Sequence, residues 1–436
     1  MPRISVIVAF GLALSCALAQ PTPPPPTGPP LTLTLQEVLQ RARQYSQQVY
    51  TADIVAKLAH EDTVQAKAGF YPSVNGLSQF IYTQPNGTPS GVFVSNDGPH
   101  VYNQQALIHG EIWNPARRAD YRRTMAAEAV SRAKSDLALR GLHVTVVQNF
   151  YALVVAQRRI ANAQQSLKET AQLVDITQKQ EAGGEAAHAD VVKGQIQLEQ
   201  RQRDLQDAEL NTEKARIALA VLIFPTFGQA YTVVDDLAAA PPLPLFSEVE
   251  TLAGKNNPDI RVAQATVEQQ THAMESARAG FLPTLSFDYF LGINANQFAV
   301  HNLEGQNLFG PVFQAQLTVP IWTWGAQRSK VRQAELQLQL AKNDLSLAQR
   351  TLLAEMRSFY LEAQSADTQL MSLKKSMDLS ADSLRLTLER YQGGEATILE
   401  VVDAQNTLAQ ARNAYDDGLA RYRLALANLQ SLTGTF

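Results

Sequence analysis

Gly393-Gly394-Glu395-Ala396 ends a run, Ala326 to Gln392, that contains neither glycine nor proline. The string Gly183-Gly184-Glu185-Ala186, 210 positions earlier, ends a run from Ala116 that only Gly141 interrupts. Alanine, leucine, glutamine, glutamate and arginine dominate both runs, and these are strong helix formers. At about 1.5 Å per residue each run makes a helix of roughly 100 Å, far too long for a compact globule. Apolar positions recur at short helical steps, as at Ala334, Leu336, Leu338, Leu340, Ala341, Leu345 and Leu347, which suits side-by-side helix packing. The other faces carry Gln, Ser, Asn and alternating charge, fit for water. Return helices beyond the glycine pairs run to about Ile223 and Leu432, so the chain is expected to form two antiparallel helical hairpins.

The hairpins are part of a larger duplication. Ala66-Lys67-Ala68-Gly69-Phe70-Tyr71-Pro72-Ser73-Val74 returns as Ala277-Arg278-Ala279-Gly280-Phe281-Leu282-Pro283-Thr284-Leu285, offset by 211. Ile112-Trp113 returns as Ile321-Trp322, and Phe150-Tyr151 as Phe359-Tyr360, both offset by 209. Matches in one order at offsets of 209 to 211 mean a tandem repeat of about 210 residues. Each unit reads as a helix, two strands, a very long helix, a glycine-pair turn and a second long helix.

The strands alternate. From Leu285 to Ala295 one set of positions is Leu285, Phe287, Tyr289, Leu291, Ile293 and Ala295, and the other is Ser286, Asp288, Phe290, Gly292 and Asn294. From Val312 to Ile321, Phe313, Ala315, Leu317, Val319 and Ile321 alternate with Gln314, Gln316 and Thr318. The first unit repeats the pattern less cleanly around Val74 to Thr83 and Tyr102 to Ile112, and loops Pro85 to Asp97 and Asn296 to Gly310 join the two pairs. A period of two over about ten residues, with one greasy face, is the signature of a membrane barrel strand. A single strand of this kind fits a soluble antiparallel sandwich equally well.

Composition narrows the classes. Only 18% of residues are charged, and 37 basic residues against 41 acidic give a net charge of −4, so nothing electrostatic points to nucleic acid. One cysteine excludes a disulfide scaffold and cysteine-based zinc sites. Residues 4 to 18 form an apolar stretch behind Arg3 and close with Ala17-Leu18-Ala19, a signal-peptide pattern that places the mature start at Gln20. The rival is lipid attachment at Cys16, where Ala13-Leu14-Ser15 puts Leu one position away from its place in a lipobox. The prolines between Pro21 and Pro30 form an extended tether. Beyond residue 20 no apolar run long enough for a transmembrane helix is expected, so any membrane contact falls to the strands.

Four strands cannot close a spanning barrel, which needs about eight, and lipid forbids an open sheet edge. Other copies of the chain must complete it. A trimer supplies twelve strands and twelve long helices, so one cyclic assembly closes both cylinders.

On these residues the chain resembles the TolC-type outer-membrane efflux proteins over nearly its whole mature length. The likeness rests on Ala279-Gly280-Phe281-Leu282-Pro283, on Val319-Pro320-Ile321-Trp322 with Gly325, and above all on the string from Gly393 through Glu400, Val401, Val402 and Asp403 to Leu408. It implies an α+β membrane protein and a homotrimeric channel: a 12-stranded β-barrel in outer-membrane lipid, a periplasmic helical barrel, and a collar near Phe224 to Glu250. It also implies a passive conduit for solutes or proteins, opened at its periplasmic tip by an adaptor protein and an inner-membrane pump. The resemblance makes Gly183, Gly184, Gly393 and Gly394 the adaptor-docking tips. It makes Glu400 and Asp403 an acidic ring at the aperture, and Tyr391 with Asp190 one closing link. The plainer readings are helix termination for the glycines and acids suited to a helix N-terminus for the carboxylates. Where the family has a closing arginine this chain has Ala396, which leaves pairs such as Glu395 with Lys193 to hold the tip.

The expected divisions are a signal peptide (1–19), a Pro-rich tether (20–32), a first repeat (33–224), an equatorial linker (225–246) and a second repeat (247–436). No phosphate-binding loop, nucleophile elbow or His-Glu-x-x-His string appears, and the seven histidines are scattered, so no enzyme, cofactor or metal site is expected. The competing class is a periplasmic coiled-coil scaffold. It leaves the alternating strands unexplained, together with the aromatics placed near their ends, Trp113, Trp322, Trp324 and Tyr289.

Overall fold

A computed structural model describes residues 31–82, 100–226, 229–239 and 241–434. The expected signal peptide, Cys16, most of the tether and the loop from Pro85 to Asp97 lie outside the described residues. The first repeat contains β1 (Leu31–Leu33), α1 (Leu35–Tyr45), α2 (Gln47–Ala68), β2 (Ser73–Tyr82), β3 (His100–Trp113), α3 (Pro115–Ala182) and α4 (His188–Ile223). Then come β4 (Tyr231–Val233), a 3-10 turn at Leu237–Ala239, α5 (Phe246–Asn256), α6 (Pro258–Ala279), β5 (Thr284–Ala295), β6 (Phe309–Thr318), α7 (Ala326–Gln392) and α8 (Ile398–Thr433).

Helix ends follow local chemistry. Asn114 accepts from the Arg117 amide at 3.1 Å ahead of Pro115, and Asn257 accepts from the Asp259 and Ile260 amides ahead of Pro258. Both are polar caps followed by a proline that loses no bond at the first helical position. The single helix expected at the head of each unit is two helices. Ser46 and Asn257 are both extended, at φ −68° and −61°, and each ends one helix while capping the next. These breaks lie 211 positions apart, so the duplication preserves the bend.

The long helices pair as hairpins, α3 with α4 and α7 with α8, while α3 also packs along α8. An apolar core sits at mid-length, where Val38 and Ala42 of α1 meet Val146, Phe150, Leu153 and Val154 of α3 and Leu219 and Ile223 of α4. Its second-repeat counterpart gathers Val249 and Ala253 against Met356, Ala363, Leu429 and Leu432. One expectation is corrected here: α3 holds an eighteen-residue window apolar enough to cross a membrane. That stretch supplies this core, which accounts for its apolar character. Leu31 and Thr32, expected in the tether, pair with Tyr231 and Thr232 in a short parallel sheet that closes the same core.

Strands β2, β3, β5 and β6 form one antiparallel sheet in that order. Register separates its faces. One row reads Val74, Ile108, Tyr289 and Phe313, and the adjacent row on the opposite face reads Ser73, His109, Asp288 and Gln314. His109 Nδ1 and Asp288 Oδ1 are 2.7 Å apart across the polar face. On the apolar face the Phe287 ring lies over Gly110, in space that any side chain at that position would take. Tyr289 stands mid-strand rather than at a strand end, while Trp322 and Trp324 lie beyond β6, exposed and packed edge to face. Strand β6 stops at Thr318 instead of reaching Ile321, since Pro320 has no amide for a ladder.

Candidate functional site at the hairpin tips

The two hairpins reverse through the same turn. Gly183 and Gly393 keep helical dihedrals, whereas Gly184 and Gly394 take φ of 77° and 76°. The Gly184 amide donates to the Glu181 carbonyl at 2.9 Å, and that of Glu185 to Gln180 at 2.8 Å. In the second hairpin Gly394 donates to Tyr391 at 3.1 Å and Glu395 to Arg390 at 2.8 Å. This is the Schellman arrangement, which needs a left-handed residue at its second position and so selects glycine there. Nothing lies within 4 Å of a Cβ placed on Gly184 or Gly394, so both tips face open space.

Below the turns the tips join through a small apolar cluster of Leu173, Leu384, Tyr391, Ile398, Val401 and Leu408. Gly194 lets α4 approach Val174 and Ile398. Tyr391 is buried here, and its hydroxyl lies 3.0 Å from Thr177 Oγ1, which itself donates to the Leu173 carbonyl at 2.8 Å. The expected bond from Tyr391 to Asp190 therefore does not form within the chain. Asp190 lines a cavity together with Tyr391 but pairs with Lys193 at 3.3 Å, and among the described residues no ion pair joins Glu395 to Lys193. Thr177 was not singled out from sequence, because its position opposite Tyr391 depends on how two distant helices pack.

Glu400 is exposed and has a definite local role. Its Oε1 accepts from the Thr397 amide and hydroxyl, both at 3.1 Å, while Thr397 Oγ1 accepts from the Glu400 amide, a reciprocal capping box that starts α8. The Thr-x-x-Glu string carried this signal in the sequence. These bonds, first from the Thr397 amide and then from its hydroxyl, hold the Glu400 carboxyl below the usual carboxylate range, and Arg390 at 3.6 Å adds to the effect. Asp403, one turn on, is exposed. Both acids line a groove of about 590 Å³ between α7 and α8, whose other wall bears Ser372, Ser376, Ser380 and Thr387.

A polar ladder joins α3 to α8 above the tips. Arg158 donates to Asp416 at 2.9 Å and to Asp235 of the mid-length segment, Arg159 pairs with Asp417, and Arg412 with Glu169 at 3.0 Å. Among the described residues no three His, Cys, Asp or Glu side chains converge on a metal position. Three histidines pair instead with single carboxylates, His60 with Glu128, His109 with Asp288 and His188 with Glu181, and His272 lies between Glu275 at 2.9 Å and Glu268 at 4.0 Å.

The family model described as outer membrane efflux protein matches residues 38–223 and again 251–435. The chain is 27% identical to the pyoverdine export outer membrane protein OpmQ of Pseudomonas aeruginosa, covering 92% of this chain and 84% of that protein. It is 21% identical to the outer membrane protein TolC of Vibrio cholerae, covering 92% and 90%. The CmeC outer membrane channel of Campylobacter jejuni superposes with a TM-score of 0.80 at 19% identity, over 92% of this chain and 85% of that one.

Proposed function

Since the chain belongs to the outer membrane efflux protein family, we propose that three copies form a passive export channel, with β2, β3, β5 and β6 of each in the outer membrane and the hairpins reaching through the periplasm. The observation that carries this reading is the sheet: one apolar face, one polar face, and both edge strands β2 and β6 unpaired among the described residues. Lipid tolerates neither an open edge nor a lone four-stranded sheet, so β6 of one copy pairs with β2 of the next until twelve strands close. The polar rows, with His109 and Asp288, then line a wet lumen.

Residues 1–19 direct export and 20–30 tether the mature chain, while 31–224 and 247–436 supply paired hairpins around the 225–246 linker. The exposed glycine turns are where an adaptor docks and couples the channel to an inner-membrane pump, which provides the energy. Glu400 and Asp403 of three copies place six carboxylates around the periplasmic aperture, favouring cations over anions. Cargo is solute or protein, chosen mainly by the pump. Reconstitution into planar bilayers tests this: stepwise, cation-selective conductance is expected. A chain that dissolves without detergent and leaves bilayers silent refutes it.

A further inference from the structure

The repeat relates two grooves at the tips, and only one of them is filled. Within the chain α8 and the tip end of α7, which carries Tyr391, lie in the groove of the first hairpin. There Thr170 donates to Gln405 at 3.2 Å, Gln180 Nε2 donates to the Tyr391 carbonyl at 3.4 Å, and Thr177 meets the Tyr391 hydroxyl. The matching groove of the second hairpin, between α7 and α8, stands open among the described residues, about 590 Å³ in volume. The hairpins match without gaps: α3 ends at Ala182 and α7 at Gln392, and α4 spans His188–Ile223 where α8 spans Ile398–Thr433. A shift of 210 therefore carries Thr170 onto Ser380, Thr177 onto Thr387, Gln180 onto Arg390, Gln405 onto Gln195 and Tyr391 onto Glu181.

The chemistry survives the shift. Hydroxyl against carboxamide at Thr170 and Gln405 becomes hydroxyl against carboxamide at Ser380 and Gln195. In place of the Tyr391 main-chain carbonyl that accepts from Gln180, the shift offers the Glu181 carboxylate to the Arg390 guanidinium. Apolar surface also awaits cover on both sides. Leu379 on the groove wall is 59% exposed, and Ile196 on the outer face of α4 is 63% exposed.

We propose that the open α7/α8 groove receives α4 and the tip end of α3 of a second copy in the register set by the duplication. The partner's Gln195 then bonds Ser380, and the partner's Glu181 pairs with Arg390 beside Thr387. This rests on the multimer proposed above and adds how its tips are held. With Ala396 supplying no cation, Arg390 closes the seam between copies. In the single chain Arg390 is exposed and Glu181 half-buried, and each is engaged only locally, Arg390 with Glu400 at 3.6 Å and Glu181 with His188 at 2.7 Å, so both can exchange partners on assembly. The ladder above the tips is not reproduced: Arg158 with Asp416 maps to Thr368 with Gln206, and Glu169 with Arg412 to Leu379 with Gln202. The seam between copies thus has its ion pair at the tip, whereas the seam within the chain has its ion pairs higher up.

Disulfide trapping in the full-length protein tests the register. With the natural Cys16 changed to Ser, Ser380→Cys plus Gln195→Cys is oxidised in membranes and run without reductant. Bands of two and three chains that collapse on reduction are expected, while each single variant stays at one chain. The pair Thr170→Cys with Gln405→Cys should close within one chain, losing free thiol without gaining mass. Particles of several chains whose Ser380→Cys thiol stays open to maleimide overturn this register but leave the multimer standing. Single-chain particles overturn both. If the cysteine pair fails to assemble, charge exchange decides. Arg390→Glu should raise the open-to-closed ratio up to about fivefold, and adding Glu181→Arg should restore it. Additive effects of the two exchanges refute the contact.

Discussion

Tyr391→Phe removes one hydroxyl from the buried tip cluster, and its cost depends on which partner that hydroxyl has. Thr177 retains its bond to the Leu173 carbonyl, so the deletion strands no buried donor and costs only the net worth of one hydrogen bond, about 1 kcal/mol. That is roughly a fivefold loss of protection against local opening. Thr177→Val instead leaves the phenol without its partner and costs about 1–3 kcal/mol, or roughly five- to 150-fold. Because both substitutions break the same bond, Thr177→Val with Tyr391→Phe should cost no more than the larger single change, a coupling of about 1 kcal/mol. Hydrogen–deuterium exchange of the peptides spanning 385–405 reads these quantities directly. Additive single effects, or coupling of Tyr391→Phe with Asp190→Ala in place of Thr177→Val, refute Thr177 as the partner.

Gly394→Trp has room for its side chain but must adopt a left-handed backbone, a strain of about 1–2 kcal/mol confined to the turn. Efflux should stop while a heat-resistant trimer remains in the membrane, and normal efflux would count against docking at the tips. Glu400→Ala with Asp403→Ala should weaken block by multivalent cations in single-channel recordings; unchanged block removes the acidic ring. Arg158→Ala leaves Asp416, nearly buried, with only the Asn162 amide, and should lower stability by about 2 kcal/mol, between exposed and buried ion-pair values. A shifted urea midpoint checks it. At Glu128 burial works to raise the carboxyl, but hydrogen bonds from His60 and Thr63 and the charges of Arg132 and His60 together bring it below its ordinary value. Its contribution is therefore full above the ordinary carboxylate range and is lost as pH falls through the lowered value, and Glu128→Gln should flatten that limb of the stability profile.

Local signals carried far along this chain. A helix from Ala326 to Gln392 was readable because nothing in that run breaks one, and Phe287, Tyr289 and Leu291 declared their face by alternation alone. The bend at Asn257 was signalled by Asn257-Pro258, but its counterpart at Ser46 has no proline and looks like any polar helical position. Pairing of Leu31–Leu33 with Tyr231–Val233 joins two three-residue segments 200 positions apart, too short for periodicity to register. At the tip, the Thr397 and Glu400 cap is local and was legible. The Thr177 and Tyr391 bond and the Arg158 ladder depend on how α3 lies against its distant neighbours, a register that no short window of sequence contains. Asp190 was paired with Tyr391 by resemblance, whereas packing gives Tyr391 to Thr177 and leaves Asp190 to Lys193, one helical turn away.

Everything about the conduit depends on how many chains surround one lumen. Native mass spectrometry of detergent-extracted particles counts them directly: three copies per particle are expected, released intact from the micelle. A single copy, stable in buffer free of amphiphile, would contradict the account.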